Sequence, residues 1–246
     1  MKFEINRIGI QSIAEMLQNI SFESIFTLTE DQIKVALFDS ARSKLVFVEY
    51  PIKIVEGEPV EFALNTDWLY KKLKKVDGST LVCEVTGTNF IFNQKTTIKN
   101  INVRNTFELN LLDLENSSIQ SSKPENEPTV KQSVEFVLED VSILKRALDA
   151  IDGDHFVIYA DAKEVTIKSE PDLSGPPSTS IIEIAPSVLE SEVNRTMHKN
   201  SEVANFVKSL SGVKEVKVSF IAEGPLTIEA VGDNVRFKFL SSPVEE

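Results

Sequence analysis

The sequence of 246 residues predicts an α+β fold built as two similar domains. Along the chain, apolar residues switch between the two-residue spacing of half-buried strands and the 3.6-residue period of amphipathic helices. The elements follow one order, strand, helix, strand, strand, and this order occurs four times. A fourfold recurrence at offsets of roughly 55 to 75 residues indicates internal duplication.

The elements can be placed from these patterns. The predicted strands alternate apolar and polar residues and cover 3–5, 24–29, 33–38, 60–65, 80–85, 89–92, 134–138, 155–160, 165–169, 192–196, 214–220 and 225–230. The predicted helices have an apolar stripe and cover 10–20, 66–76, 139–151 and 201–211. One helix follows the first strand of each unit, which is the pattern of a duplicated α+β unit.

The middle of the chain has the composition of a linker. Residues 114–132 contain four serines, two prolines and few apolar residues. We therefore predict an N-terminal domain over 1–115, a connector over 116–132 and a C-terminal domain over 133–246. The alternative is a single domain in which this segment is a long surface loop.

The charge balance limits the partners of the protein. The chain has 26 Lys and Arg against 38 Asp and Glu, a net charge of −12, which argues against a surface that attracts nucleic acid or anionic lipid everywhere. No segment reaches the roughly 20 apolar residues of a membrane span, and the first residues lack the apolar core of a signal peptide. We expect a soluble intracellular protein that binds any anionic partner through a local basic stripe.

Residues that could carry catalysis are few. One cysteine, Cys83, excludes an internal disulfide framework, and the glycines form no phosphate-binding motif. Asp152 and Asp154 flank a glycine, but the calcium-loop pattern does not continue beyond them. We therefore predict no catalytic residue, no metal site, no cofactor and no enzymatic activity.

Four single residues have ordinary structural interpretations. We expect Cys83 to be a small buried apolar side chain, and His155 and His198 to lie at the surface. Trp68 is expected to pack beside the apolar flank of the second helix.

The second predicted helix carries a basic stripe. Leu69, Leu73 and Val76 recur at helical spacing on one face, and lysines occupy the other side. The third and fourth helices have weaker versions, whereas the first carries Glu15 and no lysine. A lysine stripe can follow a phosphate backbone without reading bases; the alternative is a solvated helix face. The predicted DNA-facing residues are Lys71, Lys72, Lys74, Lys75, Lys145, Arg146 and Lys208.

Five segments resemble one protein family in the same order and spacing. They are 33–51 (IKVALFDSARSKLVFVEYP), 62–76 (FALNTDWLYKKLKKV), 107–115 (FELNLLDLE), 224–230 (GPLTIEA) and 237–246 (FKFLSSPVEE). Together they resemble a subunit of the archaeal and eukaryotic DNA sliding clamp, the proliferating cell nuclear antigen family.

The resemblance implies a fold and a function. Each half would be a clamp domain with two β-α-β-β-β units, and three subunits would form a ring with helices around a central hole and antiparallel sheets outside. The ring would encircle double-stranded DNA without sequence preference and act as a processivity factor in replication and repair. The implied partners are DNA polymerase, an ATP-driven clamp loader, flap endonuclease, DNA ligase and sister clamp subunits, with no membrane. The implied location is the archaeal cytoplasm at the nucleoid, or the nucleus in a eukaryote.

The resemblance also implies two kinds of protein contact. Strands 104–112 and 180–184 would form the subunit interfaces, through Phe107, Leu109, Leu111, Ile181, Ile182 and Ile184. The client-binding groove would be formed by Phe38, Leu45, Ile119, Pro225, Leu240 and Pro243. Ser43 in place of an apolar residue, and one extra residue in the FLSSP tail, depart from the family pattern and bear on which clients bind.

Three questions stay open from the sequence. The unusual first helix favours a heterotrimer of different clamp subunits over a homotrimer. A clamp-fold subunit of a DNA-damage checkpoint, or a monomeric processivity factor, is an alternative function. An α+β enzyme whose site the motifs do not reveal is a further alternative.

Overall fold

The computed structural model describes residues 1–98, 101–115, 123–124, 127–128, 130–169, 177–190 and 194–244. The helices in this part of the chain are α1 (Arg7–Gln18), α2 (Thr66–Leu73), α3 (Val141–Asp149) and α4 (Asn200–Ser209). The strands are β1 (Lys2–Asn6), β2 (Glu23–Leu28), β3 (Gln32–Phe38), β4 (Lys44–Pro51), β5 (Lys53–Glu56), β6 (Val60–Asn65), β7 (Thr80–Val85), β8 (Asn89–Ile98), β9 (Ile101–Asn110), β10 (Val134–Leu138), β11 (His155–Ala160), β12 (Val165–Ser169), β13 (Thr179–Ile182), β14 (Val188–Leu189), β15 (Arg195–Lys199), β16 (Val213–Phe220), β17 (Leu226–Gly232) and β18 (Val235–Ser241).

The chain divides into two compact units. One contains Met1–Arg42 and Val46–Glu125, and the other contains Ser43–Leu45 and Asn126–Glu246. Each combines helices with antiparallel strands, so the predicted α+β class is confirmed. The connector predicted over 116–132 lies mostly outside the described residues, and its bounds stay a prediction.

Antiparallel sheets form the framework of both units. In the first unit the strands run in the orders β5-β1-β7-β8-β9 and β4-β3-β2-β6. In the second unit the orders are β13-β12-β11-β15 and β14-β10-β16-β17-β18. In both units a helix follows directly after a strand, as α1 follows β1 and α4 follows β15. The apolar pattern missed six strands, of which the family resemblance supplied β9 and β13; the six are β4, β5, β9, β13, β14 and β18.

Stacked phenylalanines form much of the core of the first unit. The ring centroids of Phe26 and Phe62 are 5.4 Å apart, and those of Phe62 and Phe90 are 5.6 Å apart. All three rings are at most 2% exposed. Burial of such a side chain contributes about 1.5–3 kcal/mol to stability. In the second unit, Phe206 of α4 stacks on Phe239 of β18 at 4.8 Å.

Side-chain caps begin three of the helices. Asn6 accepts a hydrogen bond from the Gly9 amide at 3.2 Å, and Asn65 accepts one from the Trp68 amide at 2.9 Å. Asp140 caps α3 by accepting from the Ser142 amide at 2.8 Å, whereas Lys199 makes no such bond before α4. Each cap satisfies an amide that has no partner within its helix.

The predicted helices end too late. The prediction for 66–76 is wrong beyond Leu73, because the Lys75 and Val76 amides bond three residues back, to Lys72 and Leu73, at 3.0 and 3.1 Å. These bonds form a tighter turn than an α-helix. The third helix also ends before the predicted residue 151, since the Ile151 amide bonds to the Leu148 carbonyl at 3.1 Å.

The strand that precedes the fourth helix lies later in the chain than predicted. It was expected at 192–196 and is found at Arg195–Lys199. Its inward side chains include Thr196 and His198, at 2% and 0% exposure, so polar residues occupy the buried face. An apolar alternation therefore could not locate this strand.

One glycine is required by packing in the first unit. A Cβ on Gly9 of α1 would lie 2.0 Å from Cζ of Tyr50 in β4. The helix can approach the strand this closely because residue 9 has no side chain. No helix in the described part of the chain is long and apolar enough to cross a membrane.

Candidate DNA-facing helices and partner surfaces

The lysines of α2 and its closing turn lie on the solvent side. Leu69 and Leu73 are fully buried on the opposite face, and Tyr70 is 9% exposed. Lys71, Lys74 and Lys75 are exposed, and Lys72 is half-buried. The helix thus presents its basic residues outward, and their contact with DNA stays a prediction.

The four lysines have different local partners. Nζ of Lys71 lies 2.6 Å from Oδ2 of Asp67. Lys74 lies 4.3 Å from the ring centroid of Tyr70, and its hydrogen bond with Tyr70 raises its pKa. Lys72 and Lys75 have no ion-pair partner in the described part of the chain. Two cations are therefore available to an external anion.

Trp68 is on the exposed face of α2, and the expectation that it packs beside the apolar flank is wrong. Its side chain is 61% exposed. The buried face is set by Thr66, Leu69, Tyr70 and Leu73. Position 68 falls outside this set, and helical geometry puts it beside residues 71 and 72, three and four positions on. The sole tryptophan of the chain therefore lies among lysines.

In the second unit, α3 carries two exposed cations and α4 carries one lysine that is paired. Lys145 and Arg146 of α3 are exposed, and their contact with DNA stays a prediction. Nζ of Lys208 in α4 lies 2.8 Å from Oδ1 of Asp149 in α3. This bond between the two helices already neutralises the fourth-helix cation.

The predicted groove residues differ in exposure. Leu45 and Leu240 are buried, at 3% and 8% exposure. Phe38, Pro225 and Pro243 are half-buried and keep some surface. Ile119 lies outside the described residues. The groove as a whole stays a prediction.

A cavity of about 300 Å³ opens beside the C-terminal segment of the second unit. Its lining combines apolar side chains with one acidic and one basic residue: Val157, Arg195, Thr196, Met197, Glu223, Pro243 and Val244. The Val244 amide donates to the Met197 carbonyl at 2.9 Å and holds the segment against β15. Pro243 is among these residues, and the family resemblance assigned it to the client-binding groove, which stays a prediction. Val157 and Met197 were missed because they are apolar strand residues with no distinguishing local pattern.

Both predicted interface strands are edge strands. β9 is last in its sheet and pairs along its length with β8, and β13 is last in its sheet and pairs with β12. An edge strand presents backbone donors and acceptors on its outer side. Neither β9 nor β13 is therefore an interior strand of its described sheet. Their pairing with another subunit stays a prediction.

Only some of the predicted interface side chains are exposed to solvent. Phe107 stacks on Phe92 at 5.2 Å, and Leu109 is 7% exposed. In β13, Ile181 is 56% exposed and Ile182 is 8% exposed, while Leu111 and Ile184 are half-buried just beyond their strands. β9 ends at Asn110 and β13 at Ile182, both two residues before the predicted ends.

His198 is buried, and the expectation that it lies at the surface is wrong. Its Nε2 lies 3.1 Å from Oγ1 of Thr196 and its Nδ1 lies 3.2 Å from Oγ of Ser241. Burial lowers the pKa of His198 to about 4, so the ring is neutral at pH 7. Cys83 is fully buried as expected, and burial raises the pKa of its thiol. No group of three or more potential metal ligands occurs among the described residues.

Comparisons with known proteins identify the fold. No family model matches the chain, and no curated protein matches its sequence. Solved structures of proliferating cell nuclear antigen (PCNA) match it throughout. One is A. fulgidus PCNA with the C-terminal region of FEN-1 bound, at 15% identity and a TM-score of 0.80, covering 100% of this chain and 98% of that chain.

Two further structures agree. The PCNA2–PCNA3 complex from Sulfolobus tokodaii matches at 14% identity and a TM-score of 0.83, covering 100% of both chains. PCNA from Entamoeba histolytica matches at 18% identity and a TM-score of 0.78, covering 99% of this chain and 98% of that chain. The chain therefore has the PCNA clamp fold, as its sequence segments predicted.

Proposed function

We propose that the protein is a subunit of a DNA sliding clamp, a ring of three subunits that encircles duplex DNA and tethers polymerase and other replication and repair enzymes. The observation that carries this proposal is the match of the whole chain to PCNA structures at TM-scores from 0.76 to 0.83. A partial match would support only a shared module, whereas this one includes both units. We further propose domains over 1–115 and 133–246 with a connector between them.

The exposed lysines of α2 support the DNA-facing part of the proposal. A ring that holds DNA by encirclement needs only weak, non-specific contacts to phosphates, since tight ones would oppose sliding. The protein has a net charge of −12, and its densest basic stretch is 71–75. The excess of negative charge on the other surfaces repels the phosphates of DNA and so disfavours binding there.

The edge positions of β9 and β13 support the proposed assembly. Pairing the β9 edge of one subunit with the β13 edge of the next would give a closed ring by a single repeated contact. We propose a heterotrimer with related subunits, because α1 lacks the lysines of α2. The PCNA2–PCNA3 complex from Sulfolobus tokodaii supports association between related clamp subunits.

The proposed clients are enzymes that insert a short apolar peptide into a groove of the clamp, with flap endonuclease first among them. The bound FEN-1 region in A. fulgidus PCNA supports this assignment. DNA polymerase, DNA ligase and the clamp loader complete the proposed partners. The clamp itself performs no chemistry in this proposal.

Light scattering after size exclusion tests the assembly. The protein is measured alone and then mixed with the other clamp-like proteins of the same genome, and a trimer mass is expected in one of these samples. Ile181→Glu should prevent it, because the exposed isoleucine on the β13 edge would become a charge. Val231→Glu, at an exposed position on β17 in the same unit, is the matched control. A monomer in every mixture would contradict the ring.

Primer extension on a circular template tests the function. With clamp loader, ATP and polymerase present, the assembled ring should increase product length, and omission of the loader should abolish the increase. Absence of stimulation by an assembled trimer would favour a checkpoint-type clamp.

Calorimetry with a synthetic peptide from the C terminus of a flap endonuclease tests the groove. Phe38→Ala should weaken binding, because an anchor residue of a small apolar interface is removed. Equal affinity of the variant and the parent protein would remove Phe38 from the groove.

A further inference from the structure

Two large exposed aromatic side chains belong to segments whose backbones meet at the start of α2, Trp68 in its first turn and Phe22 just before β2. Trp68 is 61% exposed and Phe22 is 71% exposed. Burial of large apolar side chains stabilises a folded protein, so leaving both in water forgoes that stabilisation. Exposed apolar residues that lie together, with polar residues around them, mark contact surfaces.

The backbone around both residues is firmly held. The Thr66 amide donates to the Phe22 carbonyl at 2.8 Å, and the Thr66 hydroxyl donates to the Ser21 carbonyl at 2.6 Å. Thr66 is fully buried, and Asn65 fixes the Trp68 amide through the cap at 2.9 Å. The two aromatic residues are therefore attached to one rigid helix start and do not belong to a loose loop.

Lysines lie one turn beyond this helix start, while Asp67 in the first turn is paired with Lys71. Trp68 shares its side of α2 with Lys71 and Lys72, and Lys75 follows in the closing turn. Lys72 and Lys75 form no ion pair within the described residues. The partner of this surface must combine negative charge with flat apolar groups.

We propose that Trp68 and the adjacent lysines form a contact site for single-stranded DNA, in which the indole stacks on an unpaired base and the lysines bind the neighbouring phosphates. Aromatic stacking together with lysine contacts is the general way in which proteins hold unpaired strands, and stacking tolerates any base because every base has a flat face. A duplex covers its base faces with neighbouring bases and offers the indole only sugar and phosphate. The surface therefore distinguishes an unpaired strand from a duplex.

This inference extends the proposed function and depends on it, because a clamp around DNA would bring DNA to the exposed face of α2. A clamp at a primer–template junction would meet the unpaired template strand at one end of the duplex. Trp68 would then retain the ring at the junction, while the lysines alone allow sliding on duplex.

Intrinsic fluorescence gives a direct test, because Trp68 is the sole tryptophan. An oligothymidine is titrated into the protein, and a duplex of the same length is titrated in parallel. We expect the oligothymidine to quench the fluorescence and the duplex to leave it nearly unchanged. Quenching should weaken as salt rises, since the lysines bind phosphates.

Variants separate stacking from charge. Measured by anisotropy of a labelled oligothymidine, Trp68→Ala should lower the affinity roughly tenfold, and Trp68→Phe should retain most of it. Ile143→Ala is the matched control, because Ile143 is an exposed apolar residue beside Lys145 and Arg146 on α3. Its affinity should equal that of the parent protein.

The possible failures are distinguishable. Equal quenching by duplex and single strand, or an unchanged affinity of Trp68→Ala, would overturn the stacking site even if primer extension is stimulated normally. Quenching by an acidic peptide but not by oligothymidine would assign the surface to a protein partner and also overturn it. If oligothymidine selectively quenches the fluorescence of a protein that never forms a trimer, the single-strand site is supported and the proposed ring is contradicted.

Discussion

Helices α2 and α3 share a framework and differ in their outward faces. Both follow a strand, both begin with a side-chain cap, and both bury leucines four residues apart, at 69 and 73 and at 144 and 148. Outward, α2 and its closing turn carry four lysines and a tryptophan with one aspartate, whereas Lys145 and Arg146 of α3 have Glu139, Asp140 and Asp149 nearby in the chain.

The difference shows which parts of a duplicated unit are constrained. The inward positions must fill a packed core, and the caps satisfy helix-end amides, so both features are present in α2 and α3, whereas α4 lacks the cap bond. The outward positions have no such requirement and can acquire a binding role in one copy alone.

The largest expected effect tests the shared framework. Leu69→Ala and Leu144→Ala should each destabilise the protein by about 2–5 kcal/mol, because both remove nearly fully buried methyl groups and leave a cavity. Urea unfolding at neutral pH measures both values. If one variant unfolds at the urea concentration of the parent protein, the two helices are not held by equivalent packing.

The second prediction concerns a group that only the second unit contains. The pKa of His198 is about 4 in the folded state, below its ordinary value of 6.5. The unfolded chain therefore binds the proton more readily, and the stabilisation present above pH 6.5 is lost as the pH falls towards 4, by at most about 3 kcal/mol.

Urea unfolding between pH 7 and 4.5 tests this contribution. The loss of stability on acidification should be smaller in His198→Gln than in the parent protein. Val231→Ala, which changes no titratable group at an exposed position on β17, is the control and should keep the parental pH dependence. Parallel curves for all three proteins would contradict the assignment.

The third prediction compares the two outward faces. The double variant Lys72→Glu/Lys75→Glu should bind DNA with a weaker salt dependence. The slope of log K against log salt concentration should be smaller by about 2, because two free cations are lost. Lys145→Glu with Arg146→Glu should reduce it less, since acidic residues already lie near these cations. Binding isotherms over a salt series measure the slopes. A larger effect in α3 would reverse the proposed ranking.

The smallest expected effect concerns the caps. Asn65→Ala and Asp140→Ala should each cost about 1 kcal/mol, because each leaves a helix-end amide without its side-chain acceptor. Lys199→Ala provides the reference, since Lys199 makes no cap bond. In thermal unfolding, both cap variants should have lower melting temperatures than Lys199→Ala.

Much of the fold is local and could be predicted from the sequence. Apolar periods located all four helices and most strands, because burial on one face leaves a direct trace in residue spacing. The lysine side of α2 followed from the same period. The failures are at β15, where buried Thr196 and His198 replace apolar residues, and at Trp68, where an apolar residue points outward.

The site was predicted less completely than the fold. The cavity beside Val244 joins residues from β11, β15 and the chain after β18, so no local pattern could reveal it. The edge positions of β9 and β13 likewise depend on which strands lie beside them.

The amino-acid order alone determined the repeating strand–helix arrangement, the inward and outward faces of the helices, and the concentration of lysine in one copy, because these depend on residues within a turn or two of each other. Only the tertiary structure decided that Trp68 is solvent-exposed, that His198 is neutral in the interior, and that β9 and β13 lie at the ends of their described sheets. Each of these results depends on contacts between segments far apart in the chain, and residue spacing contains no record of such contacts.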